Sequence, residues 1–85
     1  MINLLIPCYN DQEGLHNTLK SLNESSFIHV FIIDDGSKAI INIKNKDVYK
    51  SCIKKITIKR FDENKGLINA LNYGFDLIQS HYGNN

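Results

Sequence analysis

Asp34-Asp35-Gly36-Ser37 closes the apolar run Ile28-His29-Val30-Phe31-Ile32-Ile33, placing two adjacent carboxylates where a buried strand ends. Like charges repel and burial disfavours ionisation, so the pair is costly unless something holds it. In an open α/β sheet ligands collect outside the carboxyl ends of the strands, and there the pair can accept hydrogen bonds from a ligand. Asp, Gly and Ser are equally the residues of a helix cap and a turn. On this motif alone, a binding site and a plain turn both stand. The other reactive residues offer less. Cys8 and Cys52 form no Cys-x-x-Cys and are too few for a four-ligand metal site. His16, His29 and His81 share no metal-type spacing and are expected to be ordinary surface or boundary residues.

The chain that must position these groups is short. Its 85 residues make one small domain with a modest core. A hydrophobic fraction of 42% with 22% charged residues places it among folded rather than disordered chains. No apolar stretch approaches the roughly 20 residues of a membrane span, and Met1-Ile2-Asn3 lacks the basic flank of a signal peptide. The expected location is the cytoplasm. Net charge is +1. Residues 1–42 hold two basic against five acidic residues (−3), and residues 43–85 hold eight against four (+4). The scattered lysines lack the interleaved aromatics of a nucleic-acid platform, so they read as a solvated surface and no nucleic-acid partner is expected.

Ile2 to Ile6, ending at Pro7, suits a strand buried on both faces. Asn10 can cap a following helix, with Glu13 reaching back as in a capping box. The spacing of Leu15, Leu19 and Leu22 predicts a helix over about 11–23 with one apolar face. Residues 28–34 read as a second buried strand. Lys38 to Ser51 is ambiguous, with a helical stripe weakened by Asn42, Asn45 and β-branched residues. Alternation at Ile56 and Ile58 predicts a third strand over 53–60. After the polar turn Asp62-Glu63-Asn64-Lys65-Gly66, helical spacing of Leu67, Leu71, Phe75, Ile78 and Tyr82 predicts a helix over 66–81, with Leu71 and Phe75 inward. The order β-α-β-(α)-β-α implies a three-layer α/β sandwich with a parallel sheet and right-handed crossovers. The loops after all three strands then open on one edge.

Pro7-Cys8-Tyr9-Asn10-Asp11 after the first strand, Ile32-Ile33-Asp34-Asp35-Gly36-Ser37 after the second, and the stretch from Glu63 to Ile78 occur in that order. Together they resemble the amino-terminal, nucleotide-binding half of a family 2 glycosyltransferase with the Rossmann-like GT-A fold. The resemblance implies a single partial domain over 1–85, ending before the expected Asp-x-Asp strand. It implies a nucleoside diphosphate sugar, with UDP-sugar favoured, lying across the carboxyl ends of the strands, and it designates Pro7, Tyr9, Asp11, Asp34, Asp35, Lys65 and Gly66 as nucleotide-binding. Among these, Pro7 and Tyr9 hold base and ribose, with the Tyr9 ring as a flat contact. Asp35 takes the base N–H in a charge-assisted bond, and Asp11 sits near the nucleotide. Asp34 fixes its loop more than it touches ligand, and Lys65 with the Gly66 turn serves a phosphate at a helix N-terminus.

Family members hold a divalent metal, Mg2+ or Mn2+, on an Asp-x-Asp element, and a second half supplies the acceptor site and base. No Asp-x-Asp occurs in this sequence. The resemblance therefore implies glycosyl transfer for a full-length relative, at the cytoplasmic face of a membrane or in the cytoplasm. The 85 residues alone are expected to be inactive, and to self-associate through an open sheet edge. The donor sugar, the acceptor (glycan or lipid-linked saccharide) and the stereochemical outcome are not legible. A non-catalytic fragment is one alternative. The other is a receiver-type signalling domain, disfavoured because the acidic pair follows the second strand rather than the first.

Overall fold

Every residue of Ile28–Asp34 is buried, which makes it the centre of the sheet. The computed structural model describes residues 1–43, 49 and 51–83. It contains strand β1 (Ile2–Cys8), helix α1 (Gln12–Ser21), strand β2 (Ile28–Asp34), strand β3 (Ile53–Arg60), helix α2 (Leu67–Ile78) and a π-helical turn (Gln79–Gly83). The sheet runs β1-β2-β3 with both pairings parallel, which needs a crossover connection between successive strands, and α1 provides the first. On one face Val30 and Ile32 pack with Leu15 and Leu19 of α1 and with Ile41. On the other, Ile33 packs with Phe61, Ala70, Leu5 and Leu77 under α2. These are the three layers expected. Among the described residues between β2 and β3 there is no helix. The rest of the ambiguous segment, residues 44–48 and 50, lies outside the described residues.

The structure corrects several local expectations. Strand β1 does not stop before Pro7 but runs through it to Cys8. The Ile2 N–H donates to Phe27 O, and Cys8 O accepts from the Asp35 N–H. Even-numbered residues of β1 therefore face β2, and Pro7 turns its missing donor to the open edge, where proline is tolerated. The N-cap of α1 is Asp11, not Asn10. Its carboxylate accepts from the Gly14 N–H at 3.0 Å, while Asn10 takes a left-handed φ of 51° and serves elsewhere.

Helix α2 is rotated from the expected face. Ala70 and Gly74 are buried, whereas Leu67 and Phe75 are 59% and 62% exposed. A Cβ on Gly74 would lie 2.2 Å from Leu5 Cδ1, so the small residues let the helix backbone settle onto β1. Close backbone approach wins over burial of the bulkier stripe. Leu71 is only half-buried.

His29 is fully buried rather than a boundary residue. Its ring stacks on Phe31 with centroids 3.9 Å apart. Nδ1 and Nε2 hydrogen-bond the hydroxyls of Tyr82 at 2.5 Å and Thr57 at 2.7 Å. Burial, then Lys55 and His81, lower its pKa from the ordinary 6.5. Between the lowered pKa and 6.5 the unfolded chain binds more protons than the folded one, so stability rises with pH across that window. The part of the thermal midpoint that His29 controls should therefore be level above about pH 6.5 and fall on acidification below it. A His29→Gln variant should lose that part of the slope in a pH series of melting curves. An unchanged slope would show that His29 is not its source. Among the described residues, no helix is long and apolar enough to cross a membrane.

Candidate functional site

The loops leaving β1, β2 and β3 meet at one end of the sheet because the strands are parallel, and the Asp34–Ser37 turn ties them together. Asp35 is buried and its carboxylate clamps the start of α2. Oδ1 accepts from the Lys65 N–H at 2.7 Å, and Oδ2 accepts from the Gly66 N–H at 3.0 Å and the Asn64 side-chain amide at 3.0 Å. Helix α2 has no side-chain cap of its own, so an aspartate from another loop performs that work. Gly66, at φ 94°, provides the left-handed turn.

Asp34 acts inward. Its Oδ1 accepts from the Ser37 N–H at 3.0 Å. Its Oδ2 lies 3.6 Å from Arg60 Nε, without a hydrogen-bond partner among the described residues. Arg60 also donates to Ser37 O at 2.5 Å. Ser37 Oγ accepts from the Asn10 N–H, and Asn10 Oδ1 accepts from the Lys38 N–H, both at 2.8 Å. The left-handed conformation of Asn10 thus locks the β1 loop to the β2 loop. Burial first, then the Asp34 and Asp11 carboxylates, push the Cys8 thiol up to about 11, so it is not a thiolate nucleophile at neutral pH.

A cleft of about 250 Å³ opens at this end, lined by Pro7, Cys8, Tyr9, Asp35, Asn64, Gly66, Leu67 and Ala70. Tyr9, 47% exposed, stands on its rim. The cleft brings together the expected residues Pro7, Tyr9, Asp35 and Gly66. It does not include Asp11, which caps α1, or Asp34, which lies beneath the loop. Lys65 is also outside it, with its ammonium 5.0 Å from the centre of the Phe61 ring. A wider cavity of about 820 Å³ lies by the start of α1, with Asp11, His16 and Lys38 in its wall. That wall passes through Asn42 and Tyr49, on either side of an undescribed stretch, whereas every wall of the Tyr9 cleft is described.

Sequence reasoning misses Arg60, which alternation assigns only to the end of β3. It also misses Asn10 and Ser37 as ties between loops, because their partners lie far away along the chain. The acidic residues here do not fit a divalent metal. Asp35 faces N–H donors, Asp34 faces a guanidinium and Asp11 a helix start. Among the described residues, no group of three His, Cys, Asp or Glu side chains converges.

A parallel sheet between helices, with a cleft at the strand carboxyl ends walled by a helix start, is a Rossmann-like α/β arrangement. Residues 4–82 match the model of the family described as Glycosyl transferase family 2, and the chain belongs to that family. No curated protein and no solved structure matches it.

Proposed function

We propose that the chain is the nucleotide-binding portion of a family 2 glycosyltransferase and that the Tyr9 cleft receives the base of a nucleoside diphosphate sugar. The observation that carries this reading is the convergence of Pro7, Tyr9, Asp35 and Gly66 on one cleft at the strand ends. Tyr9 offers an exposed aromatic face for stacking. Asp35 Oδ1 has one protein partner, which leaves it capacity to accept an imide N–H such as that of uracil, so the proposed donor is a UDP-sugar. Asp34 supports the turn from below, and Asp11 sets the start of α1 beside Tyr9. For Lys65 to reach a diphosphate, its ammonium must leave the Phe61 ring.

Sugar transfer is proposed to need groups outside these 85 residues, because the family resemblance places the metal-holding Asp-x-Asp element and the acceptor base after α2. Titration calorimetry of the chain with UDP tests the reading. Tyr9→Ala should keep the fold and weaken UDP binding by about 1 kcal/mol, roughly fivefold. With a UDP-sugar and Mn2+, the chain should release no UDP above background. Absence of UDP binding, or equal binding by Tyr9→Ala, would remove the cleft assignment. Release of UDP would place transfer within the chain.

A further inference from the structure

Asn64 stands in the wall of the Tyr9 cleft, next to Asp35. Its side-chain amide reaches across to the β2 loop, where Nδ2 lies 3.0 Å from Asp35 Oδ2 and 3.3 Å from Asp35 O. Both neighbours accept only, so the amide nitrogen and not its oxygen must face them. An ionised carboxylate has room for about four hydrogen bonds, two on each oxygen. The Gly66 N–H and the Asn64 amide fill Oδ2, each at 3.0 Å. Among the described residues, Oδ1 accepts from the Lys65 N–H alone, at 2.7 Å, and keeps one open place. Asp35 is 4% exposed, so a donor brought to that place makes a charge-assisted bond with little competition from water.

We propose that Asn64 sets the base specificity of the cleft by occupying the second oxygen of Asp35. The inference rests on the reading of the cleft as a base site and adds the residue that chooses between bases. Uracil presents a single ring N–H between two carbonyls, which one open place on Oδ1 satisfies. Guanine presents a ring N–H and an amino group side by side, a pair of donors that grips a carboxylate through both oxygens. With Oδ2 full, the guanine amino group meets the Asn64 N–H, donor against donor, and stays unmatched. The Gly66 N–H on the same oxygen is backbone, held by the start of α2 whatever the side chains are. Asn64 is therefore the partner through which a change of residue alters what Asp35 accepts. It acts on the base through Asp35, as a positioning residue.

Titration calorimetry with UDP and GDP tests it, because the two share ribose and diphosphate and differ in the base. The chain should bind UDP about tenfold more tightly than GDP, the size of one unmatched hydrogen bond. Asn64→Ala opens a place on Oδ2, and the preference should fall to about twofold or reverse. A looser start of α2 would not by itself move this ratio. Asn69 donates to Lys65 O at 2.6 Å in the same turn without bonding to Asp35, so Asn69→Ala should keep the tenfold preference. UDP binding with no preference over GDP, an unchanged ratio in Asn64→Ala, or the same shift in Asn69→Ala would overturn the proposal and leave the cleft reading standing. Binding of neither nucleotide would overturn both.

Discussion

Gly36→Ala is expected to destabilise the protein by about 3 kcal/mol or more, lowering its melting midpoint by roughly 12–24 °C. Gly36 has φ 75°, which an L side chain adopts with strain. A Cβ there would also stand 2.4 Å from the Glu63 carbonyl carbon and 2.5 Å from the Asn64 nitrogen. Both atoms are backbone, so no rotamer change relieves the contact, and the β2 and β3 loops must move apart. That movement breaks the bonds from Asp35 to Lys65 and Gly66, and the Tyr9 cleft opens with it. A domain of this length has on the order of 4–13 kcal/mol of stability, so one methyl group removes a large share of it. Gly66→Ala provides the comparison. Its φ is 94° with ψ 158°, yet no atom lies within 4 Å of a Cβ placed there, so only backbone strain of about 1–3 kcal/mol applies. Melting curves followed by circular dichroism separate the two. A Gly36→Ala midpoint no lower than that of Gly66→Ala would show that the loops are not in close contact.

Asp35→Asn should be nearly as damaging. The carboxylate accepts from two backbone N–H groups and from the Asn64 amide. An asparagine keeps the shape but directs an NH2 at one of these donors, losing a charge-assisted bond and leaving a buried N–H unmatched. The expected loss is about 3 kcal/mol in stability. UDP binding, measured well below the melting midpoint, should fall at least tenfold, because the start of α2 and the base contact depend on the same two oxygens. Asn64→Ala removes one donor without opposing another and should lose only about 1 kcal/mol. A wild-type midpoint for Asp35→Asn would exclude Asp35 as the tie between loops. A lowered midpoint with unchanged UDP affinity would leave it a purely structural residue.

The sequence by itself determined the ladder of elements. Continuous apolar runs at residues 2–6 and 28–33 and the alternation at 53–60 reflect strand geometry that is local to the chain. Strands separated by crossover lengths pair in parallel, which puts their following loops at one end. The turn residues of Asp34 to Ser37 and the Asn64-Lys65-Gly66 stretch likewise mark where the chain reverses. Tertiary structure decided what depends on distant partners. The stripe from Leu67 to Phe75 defines an apolar flank of α2, but the small Ala70 and Gly74 face the sheet because Leu5, contributed by β1, fills the space a Cβ would need. His29 looks like a boundary residue in sequence. It is buried because Thr57 and Tyr82 supply hydroxyls to both ring nitrogens. Asp34 and Asp35 are adjacent in the chain and alike in chemistry, yet one turns toward Arg60 and the other toward the α2 N–H groups. Alternation along an extended chain sends neighbouring side chains to opposite faces, and only the packed helices and loops determine what each one meets.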